Sequence, residues 1–124
     1  MFQRLTLDEL NRQKPLEDVF FDYDKSDLSD AARASLQKNS DWMKLHMTTM
    51  ITIEGHADSR GTAEYNLALG ERRSSAVREY LTGLGLQAAR INIVSMGEEQ
   101  PFCSDETEAC FAQNRRGHFV VTAK

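Results

Sequence analysis

The segment at residues 55–81 has the sequence GHADSRGTAEYNLALGERRSSAVREYL. It predicts the end of a strand, a tight loop and then a long helix. Asp58 falls in the predicted loop and Arg73 falls well inside the helix. The remaining residues on the Arg73 face, at the i, i+3, i+4 spacing, are apolar or aromatic: Leu69, Val77, Tyr80, Leu81 and Leu84. Arg73 is therefore predicted to face the core.

A permanently charged guanidinium that faces a core needs an anionic partner. One interpretation is that Asp58 pairs with Arg73 and pins the loop to the helix. The other is that the two side chains hold a zwitterion, with its ammonium on Asp58 and its carboxylate accepting two hydrogen bonds from Arg73. The interpretations are compatible, because a ligand can divide an ion pair that forms without it. The residues alone leave both open.

Composition limits the classes of protein to which the chain could belong. Its 124 residues are the size of one domain with one core. The net charge of -4 argues against a general affinity for nucleic acid or anionic lipid, because both need a basic surface. The sequence contains no apolar run long enough to span a bilayer and no signal-peptide core.

Two cysteines, Cys103 and Cys110, lie close together in a polar segment. A local disulfide bond suits an oxidising compartment and is the interpretation that we favour. It would stabilise the fold by about 2–3 kcal/mol in the chain-entropy account. Two free thiols are the alternative. A zinc site is less suitable, because no CxxC or HxxxH pattern completes a ligand set.

The order of predicted elements is strand, helix, strand, helix, strand, strand. This order and the apolar stripes predict an α+β fold, a βαβαββ two-layer sandwich with two main helices on one face of a small mixed sheet. The predicted strands are residues 18–23, 49–56, 90–96 and 117–123. The predicted helices run from the Ser29 cap to about Leu45 and from the Thr62 cap to Gly83 or Gly85. The inner face of the first helix is predicted to be Ala32, Leu36, Met43 and Met47. Residues 1–17 are expected to be a partly ordered lead-in, and residues 97–113 a long polar loop.

Several separated motifs, in order, carry a family resemblance. They are VFFDYDKSDL at residues 19–28, the segment quoted above, SMGEEQP at 95–101 and NRRGHFVV at 114–121. Together they resemble the OmpA-like C-terminal domain, and within it the lipoprotein subgroup of the Tol–Pal envelope system. The resemblance covers residues 18–124, which we expect to be the domain.

The resemblance implies non-covalent binding of peptidoglycan through the meso-diaminopimelate of its stem peptide. The ligand pair of the family falls on Asp58 and Arg73, which favours the ligand interpretation. Further pocket positions fall on Tyr23, Asp24 and Asn66. The arginines of the NRR motif, Arg115 and Arg116, are expected to brace the pocket loops.

The subgroup also implies partners and a location. These are Tol-type periplasmic proteins, the periplasmic face of the outer membrane, and an N-terminal lipid anchor that this chain does not include. No cofactor is expected. The alternatives are a wall-binding module of another envelope machine, such as a flagellar stator, and a domain that mainly binds proteins.

Metal binding and catalysis are the remaining possibilities. Glu54, His56 and Asp58 alternate and would share one face of a strand, but no second histidine lies at ligand spacing. We expect His56 instead to orient the Asp58 loop through a hydrogen bond. Ser59 lies too close in sequence to His56 and Asp58 for an easy triad, so we expect no enzyme activity.

Overall fold

The computed structural model describes residues 4–124 of the chain. Four helices and four strands form in this part: α1 Leu7–Arg12, β1 Val19–Phe20, α2 Asp30–Leu45, β2 Met50–His56, α3 Ala63–Gly83, β3 Ile91–Gly97, α4 Glu108–Asn114 and β4 Arg116–Ala123. A short 3-10 turn, Ala88–Arg90, precedes β3. Within residues 4–124, no helix combines the length and apolar character needed to cross a bilayer.

One mixed sheet with the strand order β1-β4-β2-β3 forms the centre of the domain. β2 and β3 are parallel, whereas β4 is antiparallel to both β1 and β2. Ile51 pairs with Val121 and Ile53 pairs with Phe119, so alternate residues of neighbouring strands face the same side. These residues form the core with side chains of α2 and α3: Leu36, Met43, Val77 and Leu81. The α+β class and the mixed sheet predicted from the sequence are confirmed.

The two long helices begin at the predicted caps. The Ser29 hydroxyl accepts a hydrogen bond from the Ala32 N–H at 3.1 Å, and the Thr62 hydroxyl accepts one from the Tyr65 N–H at 3.1 Å. α3 ends at Gly83, one of the two predicted ends, and Gly85 follows it with a φ of +104°.

Three expectations along the chain are wrong in detail. β1 has two residues rather than six, because the chain turns into a loop in which Asp24 takes a φ of +56°. Met47 is 71% exposed, because α2 ends at Leu45 before the inner face continues. The predicted polar loop contains α4, which begins where the Thr107 hydroxyl accepts a hydrogen bond from the Cys110 N–H. A disulfide bond joins Cys103 to Cys110, with a Cα–Cα distance of 5.4 Å.

The N-terminal lead-in contains a helix that the sequence analysis did not predict. A capping box of Thr6 and Glu9 starts α1, and Leu10 is buried in the core. The Asn11 amide accepts a hydrogen bond from the Val121 N–H at 2.8 Å and donates one to the Val121 carbonyl at 2.9 Å. It thereby covers the edge of β4 beyond the short β1. Residues 1–3 of the expected lead-in lie outside the described residues.

A close contact between two glycines sets the distance between β2 and α3. A Cβ added to Gly55 would overlap the carbonyl oxygen of Gly70, and one added to Gly70 would meet the Ser95 hydroxyl. Only glycine allows the strand and helix backbones to approach in this way. The contact lies one residue before His56, at the end of β2 that leads into the Asp58 loop.

We predict that Gly55→Ala lowers the free energy of unfolding by about 3 kcal/mol, because the added methyl meets backbone that has no room to move. Gly83→Ala is the matched control: nothing lies within 4 Å of its added Cβ, and alanine is the better helix former. Urea unfolding followed by circular dichroism measures both. Equal stability of the two variants would contradict the close approach.

Candidate functional site

A small pocket opens between the turn after β1, the loop after β2 and the first turns of α3. Its volume is about 50 Å³, and most of its lining side chains are polar or charged. The lining residues are Tyr23, Asp24, Asp58, Arg60, Gly61, Tyr65, Asn66, Leu69 and Arg73. One pocket is therefore lined by all five residues that the family resemblance suggested as ligand-binding. A larger groove of about 800 Å³, beside Phe20 and Phe102, contains none of these five.

Arg73 lies at the bottom of this pocket with a fully buried side chain. Its guanidinium donates three hydrogen bonds to backbone carbonyls: to Lys25 from Nε at 2.8 Å, to His56 from Nη1 at 2.9 Å and to Asp22 from Nη2 at 3.0 Å. Among residues 4–124, no carboxylate accepts a hydrogen bond from it. Burial, reinforced by the nearby Arg115 cation, lowers the pKa of Arg73 to about 10, so the group remains charged at neutral pH.

Asp58, 4% exposed, is held by two other arginines. Its Oδ1 accepts from the Arg60 backbone N–H at 3.0 Å and from Arg60 Nε at 3.2 Å, while Oδ2 accepts from Arg60 Nη2 at 2.8 Å and from Arg115 Nη1 at 3.4 Å. Burial raises the pKa of Asp58, but these hydrogen bonds outweigh it and leave the pKa below its ordinary value. The interpretation in which Asp58 pairs directly with Arg73 is therefore wrong for this structure.

Three further pocket residues make contacts with neighbouring pocket residues or loops. Asn66 Nδ2 donates to the Arg60 carbonyl at 3.0 Å and to Glu98 Oε1 at 2.9 Å, which ties the loop to the end of β3. The exposed Asp24 accepts a hydrogen bond from the Tyr65 hydroxyl. The Tyr23 ring lies against the Arg60 guanidinium, 4.1 Å from its carbon.

Of the three residues expected to support the pocket, His56, Arg115 and Arg116, only Arg115 contacts the pocket loops with its side chain. Arg115 joins the pocket loops, since it donates to the Phe21 carbonyl at 2.9 Å as well as to Asp58. Arg116 lies away from them and pairs with Asp18 at 2.8 Å. The His56 ring contacts Glu54 at 3.1 Å rather than the Asp58 loop, and it is the His56 carbonyl that holds Arg73.

Sequence reasoning missed Arg60. Its guanidinium lies between the rings of Tyr23 and Phe111, at 4.1 and 4.3 Å, while it grips Asp58 with two hydrogen bonds. The signal was the two-residue spacing, because an aspartate commonly accepts a hydrogen bond from the backbone N–H two positions later. The position of the Arg60 side chain also depends on contacts with α4, which the sequence analysis did not predict.

The fold and the pocket define a small α+β binding domain, with a buried arginine and a buried aspartate lining one charged pocket. The sequence model described as the OmpA family matches residues 20–115. The chain belongs to the OmpA family.

Within the family, the chain is similar to proteins named peptidoglycan-associated lipoprotein. The peptidoglycan-associated lipoprotein of Agrobacterium fabrum is 43% identical over 103 residues, which are 83% of this chain and 58% of that protein. The protein of the same name from Pseudomonas putida is 40% identical over 111 residues, 90% of this chain and 66% of that protein. The chain thus spans only part of the length of these relatives.

Solved structures agree with the assignment. The peptidoglycan-associated lipoprotein from Burkholderia pseudomallei superposes with a TM-score of 0.82 at 43% identity, over 85% of this chain and 89% of that one. The C-terminal domain of Helicobacter pylori MotB gives a TM-score of 0.81 at 13% identity, over 88% and 86%. At that identity, the MotB likeness shows the fold alone.

The ion pairs of Asp58 predict how stability depends on pH. Its pKa is lowered in the folded state, so its contribution is present above the ordinary value of 3.8 and is lost as the pH falls through the lower folded value. Asp58→Asn should therefore flatten the decline of the unfolding free energy below about pH 4. Urea unfolding from pH 7 to pH 3 measures the slope, and identical slopes in both proteins would contradict the assignment.

Proposed function

We propose that this chain binds peptidoglycan without covalent attachment, by gripping the free amino-acid head of meso-diaminopimelate in the stem peptide. The proposal extends the family membership with the chemistry of the pocket. It is supported by relatives named peptidoglycan-associated lipoprotein at 40–44% identity. The proposal involves binding alone, with no catalytic step.

The observation that carries the proposal is the buried Arg73 cation, which has carbonyl partners but no carboxylate partner in residues 4–124. A guanidinium has five N–H donors, and the three carbonyls use one on each nitrogen. One N–H on Nη1 and one on Nη2 remain for a ligand. A carboxylate at this position would form charge-assisted hydrogen bonds and supply the missing negative charge.

The ammonium of the ligand head would meet a carboxylate that lines the same pocket. Asp58 lines it from the β2 loop and Asp24 lines it from the turn after β1. At about 50 Å³ the pocket is too small for a peptide, so only the amino-acid head would enter it. The rest of the stem peptide would lie outside, past the exposed Tyr23.

This binding would tether the outer membrane to the cell wall, with the domain on the periplasmic side. A lipid anchor in the outer membrane would complete the tether, and Tol-type periplasmic proteins are the proposed protein partners. The alternative is a wall-binding module of a flagellar stator. Identity of 43% to a lipoprotein, against 13–25% to MotB and a MotB-like protein, favours the first.

We predict that Arg73→Lys weakens binding of a diaminopimelate stem peptide at least tenfold, or about 1.4 kcal/mol, because lysine keeps the charge but loses the planar fork. Arg72→Lys is the matched control, since Arg72 is the exposed neighbour. Isothermal titration calorimetry gives the affinities, and thermal unfolding checks that each variant is folded. Unchanged affinity in folded Arg73→Lys would reject the assignment.

A change of ligand tests the same contact without changing the protein. A stem peptide with lysine in place of meso-diaminopimelate has the ammonium but lacks the second carboxylate. The wild-type protein should bind it at least tenfold more weakly, since Arg73 gains no anion. Equal affinity for the two peptides by calorimetry would exclude a carboxylate contact at Arg73.

A further inference from the structure

We infer that the Arg60 guanidinium occupies the position on Asp58 that the ligand ammonium must take, so that binding is an exchange of one cation for another. The inference rests on the proposed function and concerns how that site is regulated. It makes Arg60 an internal competitor, which lowers the affinity of the pocket.

The carboxylate of Asp58 has no room for a further donor. A carboxylate has about four lone-pair positions. Arg60 fills three, through its backbone N–H, Nε and Nη2, and Arg115 Nη1 fills the fourth. The side chain is also 4% exposed. An ammonium can contact Asp58 only if one of these donors leaves.

Arg60 is the donor that is free to leave. Its side chain is 33% exposed at the rim, whereas that of Arg115 is 9% exposed and is anchored to the Phe21 carbonyl at 2.9 Å. The backbone N–H of Arg60 can keep its bond to Oδ1 while the guanidinium moves. Departure of that guanidinium vacates two of the four positions.

A second carboxylate lies within reach of the displaced guanidinium. Glu108, at the start of α4, lies 3.5 Å from Arg60 Nη1 and 3.3 Å from Arg115 Nη2, and its side chain is 68% exposed. Phe111 of the same helix stacks on the guanidinium at 4.3 Å. Arg60 can therefore swing from Asp58 towards Glu108 and keep both an ion pair and a ring contact.

Arg60→Gln tests the inference, because glutamine retains the backbone N–H and removes the competing cation. We expect it to bind the diaminopimelate stem peptide about fivefold to tenfold more tightly than wild type by calorimetry. Arg72→Gln is the matched control: it removes the same charge beside the pocket, where Arg72 lies 5.7 Å from the Tyr65 ring. It should leave the affinity within about twofold of wild type.

Glu108→Gln supplies a second, independent measurement. Loss of the second acceptor should weaken binding about twofold to threefold in the wild-type background and by a smaller factor in the Arg60→Gln background, where only the Glu108 contact with Arg115 is lost. A double-mutant cycle over the four proteins reads out this coupling. Thermal unfolding establishes that each is folded.

The outcomes separate this inference from the proposed function. Tighter binding by Arg60→Gln alone, with coupling to Glu108, supports the exchange. If wild type binds the peptide and Arg60→Gln binds it equally or more weakly, the exchange is overturned but the proposed function is not. No binding by any of the proteins overturns the proposed function, and the exchange with it.

Discussion

The buried guanidinium of Arg73 is the constraint on which the pocket depends. It projects from α3 and donates to the carbonyls of Asp22, Lys25 and His56. These carbonyls belong to the turn after β1 and to the last residue of β2. One side chain therefore fixes three segments that are far apart in sequence. Neutral carbonyls offset only part of the free-energy cost of burying this charge. An anion bound in the pocket would offset more of it.

The Asp58 carboxylate does not pair with Arg73. Asp58 is neutralised by Arg60 and Arg115, and both arginines also reach Glu108 of α4. The disulfide bond joins the first turn of α4 to the preceding loop. Arg60 and Arg115 therefore form a charge network with Asp58 and Glu108, whereas Arg73 donates to carbonyls and lies outside that network.

Local sequence signals predicted much of the fold. Hydroxyl caps at Ser29 and Thr62 set the starts of α2 and α3, and the stripe around Arg73 correctly predicted that this side chain is buried. What the sequence did not reveal depends on contacts across the chain. The pairing of Asn11 with Val121 stabilises α1 against β4, and Glu108 and Phe111 hold Arg60 over Asp58. No periodicity encodes such contacts. The grouping of Tyr23, Asp24 and Asn66 with the charged pair came from the family resemblance and not from any local pattern.

The central claim is that Arg73 grips the carboxylate of a diaminopimelate head while keeping its carbonyl partners. A crystal structure with a bound stem peptide tests it most directly. The account predicts a ligand carboxylate within about 3 Å of both Nη1 and Nη2, with the hydrogen bonds to Asp22, Lys25 and His56 retained. Electron density for the peptide in the groove beside Phe20 and Phe102, with Arg73 bonded to carbonyls alone, would contradict it.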